Sequence, residues 1–222
     1  MDKYINLLSQ NLLFKNLGQS EINAALQHLK PKITRHYRGE YICMAGNEVN
    51  ELYILLEGSV QVIYEDDLGR RVLMAQYAPG DTIMELFVGS DFKLSFFVTL
   101  AATDCVLAAI SFEQVRNLPL PDKIWNTILK NVWSLSAKKK IMLYRHLLCV
   151  SRPGIREKLI SYLKEQKDKT GKSDFIIPLN KKELAEYLFI NRQAMMKELA
   201  AMKKDKIIDF KGLHFTLKTE NP

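Results

Sequence analysis

Short strands separated by turns dominate the pattern of the first half of the chain. Apolar residues there alternate with polar ones or run for about four to eight positions, and glycine recurs between the runs. Asp67-Leu68-Gly69 is typical of a hairpin between two such runs. After a short helix around 20–29, we therefore predict an all-β, jelly-roll-like domain that ends near Ser111. Its strands are expected at YICM, ELYILLE, SVQVIYE, RVLMAQY, FFVTLAA and DCVLAAIS.

A different period begins after Pro121, where apolar residues recur at alternating steps of three and four. This heptad spacing predicts one helix from about Pro121 to Cys149, roughly 40 Å long. A second copy of the helix covering its apolar edge would make a parallel homodimer, which we predict; the alternative is that the edge packs on the β domain. The edge comprises Trp125, Ile128, Val132, Leu135, Lys139, Met142, His146 and Cys149, and only Lys139 and His146 in it are polar.

Pro153-Gly154 breaks the helical pattern and marks a boundary between domains. The predicted fold class is α+β, with a β-roll domain over 1–120, a long helix over 121–150 and a further domain over 151–222.

Two short helices that meet at a corner are predicted within 180–202. Asn180 has the position of an N-cap, and Glu183 lies three residues later, where its side chain can reach back to the cap. Asn191 caps the second helix, whose apolar residues recur on one face. That inner face consists of Met195, Leu199 and Met202, and the side chains turned outward are Arg192, Gln193, Met196 and Lys197.

A helix-turn-helix has this arrangement, since its second helix enters the major groove of DNA with its first turns against the base edges. Arg192 is suited to bind two acceptors of guanine, and Gln193 is suited to pair with adenine. Lys197 lies within reach of a base or a phosphate. Lys181 and Lys182, at the start of the first helix, are placed for backbone phosphates.

The segment IIDFKGLHFTLK predicts a β wing of two short strands around Lys211-Gly212. The alternative for the whole region is an ordinary helical hairpin with a charged, solvated face. That alternative explains the helical period, but it explains neither the capping Asn191 followed directly by Arg-Gln nor the wing.

The net charge of +7 lies almost entirely in the last third of the chain. Residues 151–222 hold 16 Lys and Arg against 10 Asp and Glu, whereas residues 1–150 hold 16 against 15. A basic module attached to a nearly neutral one suggests that the basic module binds a polyanion.

Several classes of site and protein lack their usual signatures. Cys43, Cys105 and Cys149 lie far apart, which argues against a disulfide framework, a zinc site or an iron-sulfur cluster, and no haem ligand stands out among the four histidines. No metal site is predicted. The β region has only His36, and we find no catalytic triad or phosphate loop, so we predict no catalytic residues and no enzyme. No apolar run has the length of a membrane span, so we predict a cytoplasmic protein without a membrane partner.

Two segments carry a resemblance to a known family. GEYICMAGNEVNELYILLEGSVQV followed by PGDTIMELF is similar to the β-roll signature of the CRP/FNR family of bacterial transcription regulators, and NRQAMMKEL resembles its recognition helix. The resemblance implies a cyclic-nucleotide-binding-like β-roll with an effector pocket, a long dimerisation helix and a C-terminal winged helix-turn-helix. It further implies a homodimer on a palindromic DNA operator with half-sites about 34 Å apart. RNA polymerase is a further candidate partner.

The chain departs from the family pattern in the pocket. The family's Gly-Glu pair aligns with Met84-Glu85, and its phosphate-binding Arg falls on Ser95, followed by Phe96. A side chain without charge cannot neutralise a phosphate, so we expect a small-molecule effector other than cyclic AMP, of unidentified class. The other candidate pocket residues are Leu86, Lys93 as a substitute cation, and Ile141 and Met142 on the long helix.

The corner departs as well, because Phe189 stands where helix-turn-helix motifs often place Gly, and Gln193 stands where many relatives carry Glu. We predict a homodimeric, sequence-specific DNA-binding transcription regulator controlled by an effector in the β-roll. The alternative is a ligand-binding regulatory protein that acts on a protein partner, which would have no use for Arg192 and Gln193.

Overall fold

The computed structural model describes residues 2–65, 69, 71–88, 90–117 and 121–218. The chain divides into two compact units, Met1–Lys140 and Ile141–Pro222. The division falls inside the predicted long helix. The three-part domain scheme from the sequence stays a prediction.

Two four-stranded antiparallel sheets make up the β domain of the first unit, in the orders β1-β8-β3-β6 and β2-β7-β4-β5. All six strands predicted from the sequence are present, and two more, β1 and β6, were not predicted. The β4–β5 hairpin is confirmed by its antiparallel pairing, although Asp67 and Leu68 of its turn lie outside the described residues. The strands are β1 (Lys32–His36), β2 (Tyr41–Cys43), β3 (Glu51–Glu57), β4 (Val60–Glu65), β5 (Arg71–Tyr77), β6 (Thr82–Ile83), β7 (Val98–Ala101) and β8 (Cys105–Ser111).

The turn between β3 and β4 requires a glycine. Gly58 has a φ of +82°, and a Cβ at this position would lie 2.2 Å from the backbone oxygen of Asp104. Both the backbone conformation and the close approach therefore exclude a side chain at this position.

Three short helices flank the β domain: α1 (Ile5–Gln10), α2 (Gln19–Leu29) and α3 (Phe112–Arg116). The predicted helix around 20–29 is confirmed as α2. Apolar side chains of these helices join those of the strands in one buried cluster that includes Leu8, Leu29, Leu52, Leu107 and Val115.

The long helix α4 extends over Asp122–Val150, close to its predicted bounds. The predicted dimer seam is wrong in part, because Ile128, Val132 and Leu135 belong to the buried cluster of the β domain. These residues pack within their own chain, as the alternative reading of the sequence held. Burial of these residues within one chain avoids the entropy cost of association. Contact with the apolar surface of the β domain is therefore favoured over contact with a second copy of the helix.

The opposite side of α4 leaves apolar side chains exposed. At 100° per residue, they fall within an arc of about 120° that faces away from the buried edge. The exposed fraction of Trp133 is 79% and that of Leu148 is 65%. We call this set the outer face of α4; it consists of Trp133, Ala137, Ile141, Tyr144, Leu147 and Leu148.

The second unit combines the end of α4 with three helices and a small sheet of order β10-β11-β9. The two helices at the predicted corner and the two strands of the predicted wing are all present, and β9 was not predicted. The elements are α5 (Ile155–Thr170), β9 (Asp174–Ile176), α6 (Lys181–Tyr187), α7 (Arg192–Lys204), β10 (Ile208–Lys211) and β11 (His214–Leu217).

Candidate DNA-binding surface and effector pocket

Helix α6 begins with the predicted capping box. The Asn180 side-chain oxygen accepts hydrogen bonds from the backbone N–H groups of Lys182, at 2.9 Å, and Glu183, at 3.1 Å. The Glu183 carboxylate accepts in return from the backbone N–H of Asn180 at 2.8 Å. These bonds satisfy backbone N–H groups that have no partner inside the helix, so they fix the residue at which α6 begins.

Helix α7 begins at Asn191, whose side-chain oxygen accepts from the backbone N–H groups of Gln193, at 2.9 Å, and Ala194, at 3.1 Å. The predicted inner face of α7 is confirmed, since Met195, Leu199 and Met202 are each 0% exposed. The predicted outward side chains, Arg192, Gln193, Met196 and Lys197, are all exposed.

The corner between α6 and α7 is a Schellman motif with a phenylalanine in the left-handed position. The Phe189 N–H donates to Glu186 O at 3.2 Å, and the Ile190 N–H donates to Ala185 O at 3.0 Å. Phe189 itself has a φ of +54°. Glycine is the usual residue at this position, and a residue with a Cβ pays about 1 to 2 kcal/mol for the conformation.

Arg156 of α5 holds helix α7 in place. Its Nε bonds the carboxylate of Glu198 in the middle of α7, and its Nη1 lies 2.8 Å from Asp205 Oδ2 at the C-terminal end. The two carboxylates raise the pKa of Arg156 above its ordinary value, first through the hydrogen bond to Glu198. The bridge joins two helices of the second unit and leaves the N-terminal turns of α7 exposed.

The wing changes the interpretation of Lys181. Its Nζ lies 3.9 Å from the ring centre of Phe215 and 4.8 Å from that of Phe210, and it is buried without a hydrogen-bond partner in the described part of the chain. Burial lowers the pKa of Lys181 to about 8. The predicted role of Lys181 as a phosphate contact is therefore not supported by its position, whereas the Lys182 side chain is 68% exposed. The apolar stem and the two rings explain why Lys181 folds onto the wing.

At the position of the predicted effector pocket, the side chain of Glu85 pairs with a lysine of the same chain. The Glu85 side chain is 1% exposed, and the Nζ of Lys139 on α4 lies 2.7 Å from its Oε2. The same ammonium donates to the backbone oxygen of Thr82 and lies 4.6 Å from the ring centre of Tyr77. The carboxylate of Glu85 is thus already neutralised by an internal cation.

Two further pocket candidates serve the local backbone. Met84 is buried in the left-handed region, with a φ of +69°. Ser95 is also buried, and its hydroxyl donates to Phe97 O at 2.7 Å and accepts from Phe97 N–H at 3.3 Å. Ser95 therefore has its hydrogen bonds within its own loop and not in an open pocket.

The remaining pocket candidates are exposed. Leu86 is 49% exposed and Phe96 is 55% exposed, and Lys93 lies on the same surface loop. Ile141 and Met142 are exposed and belong to the second compact unit, so their place in a pocket with Glu85 stays a prediction.

The three cysteines are buried and unpaired. Burial is the main cause that raises the pKa of each thiol above its ordinary value. Thiols with raised pKa values are poor nucleophiles, so they are weak candidates for redox sensing. In the described part of the chain, no cluster of His, Cys, Asp and Glu could hold a metal ion, and no helix has the length and apolar character of a membrane span.

The chain is similar to known regulators over most of its length. A family model described as Cyclic nucleotide-binding domain matches residues 34–120. Vfr of Pseudomonas aeruginosa, a cAMP-activated global transcriptional regulator, is 24% identical over 197 residues, which cover 84% of this chain and 92% of Vfr. The transcriptional activator protein FnrL of Cereibacter sphaeroides is 22% identical over 215 residues, covering 90% and 82% of the two chains. The chain is thus similar to regulators of the CRP/FNR family.

The fold of this chain also matches a solved structure. The structure of the c-di-GMP responsive global regulator CLP of Xanthomonas campestris has a TM-score of 0.74 at 18% identity, covering 91% of this chain and 100% of that chain. The predicted combination of a β-roll, a long helix and a winged helix-turn-helix is therefore confirmed as the fold.

The partners of Lys139 and His146 could not be predicted from the sequence. Both were recognised as polar interruptions of an apolar helix edge, which is the signal that a buried partner exists. The partner of Lys139 lies 54 residues away and that of His146 lies 41 residues away, so no local pattern could identify either. Lys139 also lies outside the matched family domain, whereas Glu85 lies inside it.

Proposed function

We propose that this protein is a sequence-specific DNA-binding transcription regulator of the CRP/FNR type that inserts α7 into the major groove. The observation that carries the proposal is the division of α7 into two faces. One face is completely buried, and the other presents Arg192, Gln193 and Lys197 beside a capped N-terminus. Vfr and FnrL are both named as transcription regulators, which supports the same function here.

The exposed residues of α7 have separate roles in this proposal. Arg192 binds the edge of guanine, because its guanidinium group can donate to the two acceptors of that base. Gln193 binds the edge of adenine, because its amide group matches the donor and the acceptor of that base. Asn191, Met196 and Lys197 lie beside them along the groove. Lys182 contacts a phosphate and adds affinity without sequence information.

The test begins with selection of binding sites from a pool of random duplexes by the full-length protein. We expect Arg192→Ala to remove the preference for one guanine in each half-site, at a cost of about 1 to 3 kcal/mol. Lys182→Ala serves as the matched control, since it should weaken binding to every duplex alike and lower the dependence on salt. Enrichment of no sequence would contradict the proposed function, and an equal loss on all duplexes would contradict the role of Arg192.

We also propose that the protein acts as a homodimer through the outer face of α4. Ile128, Val132 and Leu135 of the predicted edge are used within the chain, so the exposed set around Tyr144 offers an apolar surface for a partner. Two identical copies would place two recognition helices on a palindromic operator with half-sites about 34 Å apart.

The residues at the predicted pocket position favour an effector other than cyclic AMP. Lys139 neutralises Glu85, and the position aligned with the family's phosphate-binding Arg holds Ser95, whose hydroxyl is used within its loop. A phosphate would therefore find no cation at that position. We expect cyclic AMP to give no calorimetric binding signal and no change in DNA affinity; saturable binding of cyclic AMP would contradict this part of the proposal.

A further inference from the structure

His146 packs against the corner of the helix-turn-helix within the second unit. It lies near the end of α4 and is only 6% exposed. Its ring stacks on the ring of Tyr187, with centres 3.9 Å apart and an angle of 8° between the planes. Its Nε2 lies 2.7 Å from the backbone oxygen of Tyr187. A carbonyl oxygen only accepts, so Nε2 carries the proton and donates this bond.

The hydrogen bond falls at a position that matters for α6. Tyr187 is the last residue of that helix, and the final carbonyl groups of a helix have no partner inside it. The His146 side chain supplies a donor for one of them. The end of α6 is thus tied to a residue from a different helix as well as to its own turn.

The same imidazole reaches the strained residue of the corner. Its centre lies 5.9 Å from the ring centre of Phe189, with the planes inclined by 22°. Phe189 is 48% exposed and holds the left-handed conformation of the turn. His146 is therefore a neighbour from outside the corner that contacts both the residue before the turn and the residue that makes it.

The corner sets the direction in which α7 leaves it. Only Ile190 and Asn191 separate Phe189 from Arg192, and Asn191 is fixed by its capping bonds to the first turn of α7. A change in the backbone of Phe189 therefore displaces the start of α7, which carries Arg192 and Gln193. Misplacement by a fraction of a bond length is enough to weaken bidentate contacts to a base.

We infer that His146 is a positioning residue for DNA recognition: by stacking on Tyr187 and Phe189 and bonding the Tyr187 carbonyl, it fixes the corner that aims Arg192 and Gln193 at the base edges. This inference rests on the proposed function, since the orientation of α7 affects sequence recognition only if α7 binds in the major groove of DNA. His146 itself does not touch DNA in this scheme.

The experiment measures the ratio of two affinities for the full-length protein at one salt concentration. The first duplex is the site enriched from the random pool by the wild-type chain, and the second has the same base composition in shuffled order. We expect His146→Ala to lower this ratio about 10-fold or more. Binding to the shuffled duplex should change less than about 2-fold, because charge sets it and His146→Ala removes no exposed cation.

A double-mutant cycle tests whether His146 acts through the corner. Glycine adopts the left-handed conformation without strain, so Phe189→Gly makes the turn less dependent on the stacked rings. In the Phe189→Gly background, His146→Ala should lower the affinity ratio less than about 3-fold. An equal fall in both backgrounds would overturn the inference, because the effect of His146 would then not pass through Phe189.

Cys149→Ala is the matched control for a general loss of stability. Cys149 is 3% exposed on the same helix, and its Sγ bonds Lys158 O at 3.4 Å and not the carbonyl of Tyr187. This variant should lower the melting temperature and leave the affinity ratio unchanged. A ratio that falls equally for Cys149→Ala and His146→Ala would overturn the inference.

The outcomes separate the inference from the proposed function. If the wild-type chain enriches no duplex, the proposed function fails. If it enriches a duplex and His146→Ala keeps the wild-type ratio, only the role of His146 fails. Should His146→Ala not fold at the assay temperature, His146→Phe keeps a ring and removes the donor; it should lower the ratio about 3-fold, and an unchanged ratio would again count against the inference.

Discussion

Single residues with left-handed backbone mark both candidate sites. Met84 has a φ of +69° beside Glu85, and Phe189 has a φ of +54° in the turn before α7. Each conformation costs about 1 to 2 kcal/mol for a residue with a Cβ. Aromatic pairs contribute about 0.5 to 1.5 kcal/mol each, so the stacking of Phe189 on His146 is of the right size to offset the cost at the corner.

Both residues stand where glycine is usual in the family, and at Phe189 this departure indicated a strained corner. The left-handed backbone of Met84 was not predicted. The interactions that offset the strain at Phe189 could not be predicted. His146 comes from another helix, 43 residues away in sequence, and its contact with Phe189 depends on the packing of α4 against α6 within the second unit. Local patterns carry backbone preferences, whereas tertiary partners depend on the whole fold.

Lys181 is expected to lower the stability of the folded state at neutral pH. Its folded pKa of about 8 lies below the ordinary value near 10.5, so the ammonium is disfavoured by burial. We expect Lys181→Met to raise the free energy of unfolding by about 1 kcal/mol at pH 7, allowing for partial exposure and for the lost contact with the rings. Urea denaturation at pH 7 measures the gain.

The difference in free energy of unfolding between Lys181→Met and the wild type should depend on pH. A basic group whose pKa is lower in the folded state than in the unfolded chain destabilises the folded state while it is protonated in the unfolded chain. This destabilisation disappears above the unfolded pKa and grows as the pH falls. The advantage of Lys181→Met should therefore be full below about pH 8 and shrink as the pH rises toward 10.5. Lys182→Met is the control, since Lys182 is exposed and its removal should change stability by less than about 0.5 kcal/mol. An advantage that does not shrink toward pH 10.5 would contradict burial as the cause.

His146 should make the fold sensitive to acid. Burial lowers its pKa below 6.5, more than the Tyr187 carbonyl and the Glu165 carboxylate raise it. As the pH falls, the unfolded chain therefore binds the proton of His146 before the folded chain does. The contribution of neutral His146 to the free energy of unfolding is complete above about pH 6.5. Below that pH it is lost at no more than about 1.4 kcal/mol per pH unit. Urea titrations from pH 7.5 to 5 should show a smaller slope for His146→Phe, and equal slopes would contradict the assignment.

At the scale of elements, periodicity predicted α2, α4, α6, α7 and most strands, whereas α1, α3 and α5 were not predicted. Periodicity also failed to choose between two possible partners for one helix. The alternating steps of three and four located α4 to within one residue of its observed start and end. They could not decide whether the buried edge met a partner or the β domain, because both present the same apolar surface to a helix. The short strands β1, β6 and β9 were missed because they lack clear alternation.

The connection between α4 and the β-roll at Lys139 is an element-scale contact that can be tested by removing one charge. Lys139→Met would leave the Glu85 carboxylate buried without its cation, and loss of one partner of a buried pair costs about 3 to 5 kcal/mol. The Lys139 side chain is 27% exposed, so we expect a loss near 3 kcal/mol in the free energy of unfolding. Urea denaturation followed by circular dichroism measures it.

Two variants control the Lys139 experiment. Lys140→Met removes the neighbouring exposed ammonium and should leave stability within about 0.5 kcal/mol of the wild type. Lys139→Met combined with Glu85→Gln removes both charges and should be less destabilised than the sum of the single variants. Strict additivity would mean that the two groups do not interact in solution.

For the whole molecule, α4 presents a buried side and an exposed apolar side. Its buried side contributes Ile128, Val132 and Leu135 to the core of the first unit and places His146 against Tyr187 in the second. Its outer face keeps large apolar side chains exposed, among them Trp133. Contiguous exposed apolar residues on a long helix are typical of an interaction surface, and identical stripes on two copies of the chain are complementary in a parallel pair.

The outer face can be tested at Tyr144, which is 59% exposed and lies near the middle of the stripe. A two-fold axis along a parallel pair would bring Tyr144 close to its own copy, so Tyr144→Glu would place two carboxylates side by side in an apolar contact. Sedimentation equilibrium should give twice 25.6 kDa for the wild type and 25.6 kDa for Tyr144→Glu. Lys138→Glu, an exposed change outside the stripe on the same helix, should remain dimeric.

The DNA affinity of Tyr144→Glu should fall only where two half-sites are bound together. A second half-site engaged by the same dimer raises affinity by about 10² to 10⁴, because its binding becomes intramolecular. Tyr144→Glu should therefore lose at least about 100-fold on a palindromic duplex and bind a duplex with one half-site as a wild-type monomer would. A wild-type chain that sediments as a monomer on its own and on the palindromic duplex would refute the outer face as the dimer contact, as would a Tyr144→Glu variant that stays dimeric.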